Sequence, residues 1–211
     1  LACASCAPGS KYFQAAELVA PLQLAARYLL KAQHDDGTID LLMTNFHSPP
    51  DTGFALEVVC LAFAILNKAP WQKHEQLMAD LRTFIVKAGE ALITGGIHTP
   101  NHRWVVCAAL ARIHSLFPGA KYVARINQWL EEQVDIDPDG QYTEKSTGIY
   151  SPIVNRSLLT MARLLNRPSL YDPVRRNLAM TLYYVHLDGE VVSEASTRQD
   201  KNKRIEDGIR R

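Results

Sequence analysis

Gly95-Gly96-Ile97-His98-Thr99-Pro100-Asn101-His102-Arg103-Trp104-Val105-Val106-Cys107 closes one helix and opens the next. The paired glycines end the helix before them, Pro100 suits its last non-helical or first helical position, and Asn101 is an expected N-cap ahead of Trp104, Val105, Ala108 and Ala109. His98, Asn101, His102 and Arg103 are thereby gathered at a helix N-terminus. Unpaired N–H groups and the helix dipole favour an anion there, so the cluster is a candidate seat for a carboxylate. The plainer reading makes Asn101 a cap only, His102 and Arg103 solvated first-turn residues, and His98 a loop residue.

Outward from this stretch the apolar residues recur at helical spacing, and strand-like alternation is scarce. A helix is expected over 15–33, with Leu18, Val19, Leu22, Ala25, Ala26 and Leu29 on one face and Pro21 marking a kink or a later start. Asp51 is expected to cap a helix to about Asn67 that holds Phe54, Ala55, Val58, Val59, Ala62 and Ile65 inside. Pro70 leads into a helix from Trp71 to Thr94. Further helices are expected over 101–117, 121–133, 152–165 and 171–185, with a short extended piece at 38–42 and one short strand after His186.

Long helices end in Asp-Gly or Gly-Gly at Gly37, Gly96, Gly140 and Gly189, at a period of roughly 50 residues, the length of a helical hairpin. The fold class expected is therefore all-α: helical hairpins forming an incomplete α/α toroid, with the four turns on one rim. That rim collects Asn45 and His47, then His98, Asn101, His102 and Arg103, then Tyr142, Glu144 and Tyr150, and lastly His186, Glu194, Arg198 and Asp200.

Twenty-three Lys and Arg stand against 22 Asp and Glu, a net charge of +1, which gives no field for nucleic acid. Apolar runs are interrupted by charge, as at Arg27 and Lys31, and no membrane span is expected. The 211 residues suit one domain: 1–14 as a signal remnant or leader, 15–197 as the toroid, and 198–211 as a charged tail or the start of a further part. The small, uncharged opening residues point to export, whether periplasmic, secreted or as an outer-membrane lipoprotein. Cys3 and Cys6 form an isolated C-x-x-C without redox or zinc context, and Cys60 and Cys107 are expected in the core. No cofactor or metal is expected, since H-E-x-x-H spacing is absent; a zinc site drawn from His47, His98 and His186 is the remote alternative.

Thr99-Pro100-Asn101-His102-Arg103-Trp104, with Asp139-Gly140-Gln141-Tyr142-Thr143-Glu144-Lys145-Ser146-Thr147-Gly148-Ile149-Tyr150, resembles the α/α-toroid polysaccharide lyases of the heparinase II/III and alginate-lyase kind. The resemblance implies β-elimination on a uronate-containing glycan, an acidic polysaccharide or oligosaccharide. It implies Asn101, with His102, as carboxylate neutraliser and Tyr150 as the catalytic tyrosine, Tyr142 remaining a candidate because Ser151 follows Tyr150 where the family often has His. His98 or His186 would complete the proton transfers. Substrate contacts would come from Asn45, His47, Arg103, Tyr142, Glu144 and Arg198, with a bidentate arginine on a neighbouring carboxylate. A toroidal glycoside hydrolase drawing a carboxylate pair from Asp40, Asp51, Asp139, Glu144 and Glu194, and a non-catalytic helical-repeat binding module, are the competing readings.

Overall fold

The computed structural model describes residues 1–68 and 74–203, and the backbone of 205–206. The expected helix start at Trp71, with Pro70 before it, lies outside the described residues, as do 204 and 207–211 of the charged tail. The chain is mostly helical. Among the described residues it forms α1 (Ala2–Cys6), α2 (Val19–Ala32), α3 (Pro49–Lys68), α4 (Glu75–Thr94), α5 (Pro100–Leu116), α6 (Ala120–Glu131), α7 (Tyr150–Leu164) and α8 (Tyr171–Thr181). Two short antiparallel pairs accompany them, β1 (Ile39–Leu41) with β2 (Asn45–Ser48) and β3 (Glu190–Val191) with β4 (Ile205–Glu206).

Two compact units share these elements: unit 1 is 1–96 with 112–122, and unit 2 is 97–111 with 123–211. In unit 1, α3 and α4 pack around Leu56, Phe63, Leu77, Phe84, Ile85 and Leu92, and α1 rests on α3. Residues 1–14 fall in this unit, with Ala2 and Ser5 buried. In unit 2, every residue from Trp104 to Ala111 is fully buried, and α7 and α8 contribute Val154, Leu158, Met161 and Val174.

Two helix starts differ from expectation. Ser48, not Asp51, caps α3: the Asp51 N–H donates to Ser48 Oγ, while Ser48 Oγ donates to Asp51 Oδ2. Asn101 lies within the first turn of α5 rather than at its cap, because Pro100 is already helical. The inner face of α3 is also rotated from the expected one. Val58 is 70% exposed, while Leu56, Cys60, Phe63 and Leu66 are buried, since a helix apolar on most sides gives periodicity little to choose by. α3 is 20 residues long, and by length and composition it is apolar enough to cross a membrane, with half of its most apolar window buried inside unit 1.

Three of the four anticipated turns are copies of one hairpin. The N–H of His34, Asp137 and His186 donates to the carbonyl four residues on, and the N–H of Gly37, Gly140 and Gly189 donates back to the carbonyl of His34, Asp137 and His186. The three glycines have φ of 92°, 99° and 86°, the left-handed conformation that closes such a turn. Gly95-Gly96 does not belong with them. Gly95 has a φ of −67° and ends α4, and the chain runs on into α5 without a strand.

The copy extends past the turn. Asp36-Gly37 precedes His47-Ser48-Pro49 at the spacing by which Asp139-Gly140 precedes Tyr150-Ser151-Pro152. Gly37 sits on α4 and Gly140 on α8, where an added Cβ would enter the carbonyls of Lys87 and Arg176. A side-chain amide clasps each glycine carbonyl, Gln33 Nε2 on Gly37 at 3.0 Å and Asn177 Nδ2 on Gly140 at 2.9 Å. A glycine series separates the two constraints on these turns. Gly140→Ala carries both the backbone strain and the collision and should cost about 3 kcal/mol, whereas Gly189→Ala, with nothing within 4 Å, should cost about 1 kcal/mol. Urea midpoints of the two variants check the order.

Candidate functional site

In unit 2 the first turn of α5 meets the segment that follows Gly140. The buried Glu144 carboxylate accepts the Asn101 backbone N–H on Oε2 at 3.1 Å and the Asn101 Nδ2 on Oε1 at 2.9 Å. Asn101 Nδ2 also donates to Thr99 Oγ1. The helix N-terminus expected to seat a substrate carboxylate is therefore filled by one of the protein's own, and the amide of Asn101, itself fully buried, points inward. Burial pushes the Glu144 carboxyl up from the usual carboxylate range, against the lowering effect of the Asn101 hydrogen bonds and the Arg198 charge.

Arg198 Nε stands 3.3 Å from Glu144 Oε1, and its guanidinium lies over the ring of half-buried Tyr150, 4.7 Å from the centroid. The segment around Arg198, expected as the beginning of a charged tail or of a further part, is pinned on both sides. Thr197 donates through N and Oγ1 to the Glu144 carbonyl, and the buried Asp200 accepts Ser146 Oγ at 2.7 Å and Ser196 Oγ at 2.6 Å. Ser146 Oγ in turn accepts the N–H of Tyr150 at the start of α7. Asn101, Glu144, Arg198 and Tyr150 thus form one connected cluster. His98 and His102 meet edge to face, 6.1 Å apart, at the approach to the same helix.

Two other candidates are engaged elsewhere, and a third is exposed. Arg103 pairs with Glu132 at 3.0 Å and lies over the rings of Trp104 and Trp129, so its fork is not turned toward Tyr150. Tyr142 is 2% exposed and donates its hydroxyl to Asn155 Oδ1 at 2.8 Å; burial pushes its phenol well above the ordinary range. Asn155 continues to Asn177 and so to the Gly140 carbonyl, which makes Tyr142 the head of a buried polar chain that fixes the turn. His186 is exposed on the Gly189 hairpin.

In unit 1, His47 and Asn45 lie on β2 among residues whose part was not foreseen. His47 Nδ1 is 2.7 Å from Asp36 Oδ2, His34 Nε2 is 2.7 Å from Asp40 Oδ1, and the two imidazoles stack with centroids 3.9 Å apart. His47 adopts a left-handed φ of 47°, and its N–H donates to Asp40 Oδ1. Asn45 is spent on Asp51. The signal was present in His34-Asp35-Asp36-Gly37-Thr38-Ile39-Asp40, where Asp36 read only as a turn residue and Asp40 as one carboxylate among several open to a hydrolase. Hydrogen bonds from Thr38, with His47 adding to them, hold Asp36 down at about 2, and the His47 N–H leads in lowering Asp40. A lowered carboxylate contributes stability above its unfolded value of 3.8 and loses it as pH falls toward about 2. Asp36→Asn should accordingly flatten the acid limb of the stability–pH curve between those values and leave its alkaline side unchanged, as read by urea unfolding at a series of pH values.

All four cysteines are free thiols; Cys3 is exposed and Cys6 half-buried. Cys60 and Cys107 are buried in helices, and burial raises Cys60 to about 12, which suits inert packing. Among the described residues no group of three or more His, Cys, Asp and Glu is placed to hold a metal ion. Comparison of the chain with protein-family models, with curated proteins and with solved structures finds no match.

Proposed function

We propose that the chain is a polysaccharide lyase that cleaves a uronate-containing glycan by β-elimination, and that its hairpins belong to an α/α toroid acting outside the cytoplasm. The observation that carries this reading is the Tyr150–Arg198 pair, a half-buried phenol beneath a guanidinium whose position is fixed by buried Glu144. A guanidinium beside a half-buried phenol attracts a uronate carboxylate and brings the sugar to the hydroxyl. Tyr150, entering the step as phenolate with its own proton already given to solvent, takes the proton from C5, the electrons of that C–H bond form the C4–C5 double bond, and the C4–O4 bond breaks. O4 leaves with a proton supplied by a histidine of the α5 approach, for which exposed His98 is suited. Arg198 stabilises the enolate charge that develops on the uronate carboxylate.

Asn101 serves in this scheme through Glu144, holding the carboxylate that holds Arg198. A hydrolase reading draws no general acid from Asp36 or Asp40, since both carboxyls are lowered. Incubation with a panel of polyuronates and glycosaminoglycans tests the reading. Elimination gives products with a conjugated ultraviolet absorption and no added water. Reducing ends that carry one added water and no chromophore would replace lyase by hydrolase, and an unchanged panel would remove both.

A further inference from the structure

We infer that the stacked His34–His47 pair in unit 1 is an acid–base site of its own, with His47 as the proton acceptor for a saccharide hydroxyl. An ionised Asp36 can only accept, so the hydrogen bond at 2.7 Å must be donated by His47 Nδ1–H, which leaves the Nε2 lone pair of the neutral ring directed away from the carboxylate. By the same reasoning His34 donates through Nε2 to Asp40. A carboxylate behind an imidazole fixes its tautomer and stabilises the imidazolium that forms on taking a proton.

The site is built. Asp36 is held by Thr38 through both N and Oγ1, and Asp40 by the His47 N–H as well as by His34. His47 is kept in a left-handed conformation that costs about 1 kcal/mol or more outside glycine. The remaining charges nearby are already paired: Asp35 with Lys87 of α4 at 3.7 Å, and Asp51 of α3 with Asn45 and Ser48. The His47 side chain is 57% exposed and so open to a ligand, and the preceding residue of β2, Phe46, is 65% exposed. The choice of a saccharide rests on the reading above; the proton-acceptor role rests on the geometry alone.

Acylation of histidines by diethyl pyrocarbonate, mapped by mass spectrometry on the full chain at neutral pH, tests both parts. His47 should react severalfold faster than His98 and His186, which no carboxylate among the described residues is shown to contact, and Asp36→Asn should bring it down to their rate. Nitrogen NMR of the unsubstituted protein above the His range should show His47 with the proton on Nδ1, a readout that does not depend on how the variant folds. An oligouronate should protect His47 and leave His186 unprotected. A rate equal to that of His98, or a ring protonated on Nε2, overturns the proton-acceptor role; full reactivity in saturating oligouronate overturns the saccharide. Fast, Asp36-dependent and protected acylation in a protein that makes no unsaturated product would keep this site while ending the lyase reading.

Discussion

Glu144→Ala lowers the stability of unit 2 by about 3 kcal/mol, a value set by leaving the Arg198 charge and the buried Asn101 donors without their acceptor. The urea midpoint should fall with an unchanged slope, while Glu144→Gln, which keeps an acceptor for Asn101 and loses the attraction for Arg198, should fall between the two. The pH dependence separates the charge from the hydrogen bonds. Burial raises the Glu144 carboxyl, so its folded form binds a proton more tightly than the unfolded chain. The corresponding stability is complete below the ordinary Glu value and is lost as pH rises through the raised one. Glu144→Gln should erase that slope, and the same slope in the variant would assign it to another group.

Tyr150→Phe should reduce formation of the unsaturated product by about 10²–10⁴-fold while leaving the fold intact. The ring stays beneath the Arg198 guanidinium, the N–H of residue 150 stays on Ser146 Oγ, and only the hydroxyl is removed. The loss belongs in kcat, with KM little changed, because the phenol acts on a proton and contributes little to holding the ground state. Tyr142→Phe serves as the contrast. It should cost stability through the orphaned Asn155 and leave turnover per folded molecule at the parental level. Parental turnover in Tyr150→Phe together with a lost chromophore in Tyr142→Phe would reverse the assignment of the two tyrosines.

The helices were legible because their apolar residues repeat at 3.6 and their ends carry Pro, Gly and Asp. The buried face of α3 was not, since Phe54, Leu56, Val58, Val59 and Leu61 surround the axis and leave only packing to decide which side turns inward. The Asp-Gly turns could be read as local chemistry, but the seat of Gly37 on Lys87 and of Gly140 on Arg176 is tertiary. At the candidate site the sequence singled out Asn101, Glu144, Tyr150 and Arg198 as residue types without their pairing. Asn101 and Glu144 are 43 residues apart, and nothing local announces that a glutamate will fill a helix N-terminus. Asp36 and His34 passed unnoticed because an Asp before Gly is adequately explained by the turn it makes, and Asp40 read only as one of several carboxylates open to a hydrolase.

The seating of the two glycine turns bears on the order in which the chain gains structure. Residue 37 finds its resting place on residue 87, and residue 140 on residue 176, so neither turn is clamped until the helix bearing that carbonyl has docked. Each closure pays its loop entropy late, which places the hairpin amides in the same cooperative unit as the receiving helix. Amide exchange at Gly37 and Thr38 should slow together with that of α4, and exchange at Gly140 and Gln141 together with that of α8, rather than with the helices that immediately precede these turns. Extra residues are then better tolerated in the exposed tip between β1 and β2, where Leu42 and Met43 meet solvent, than in the four-residue turns themselves.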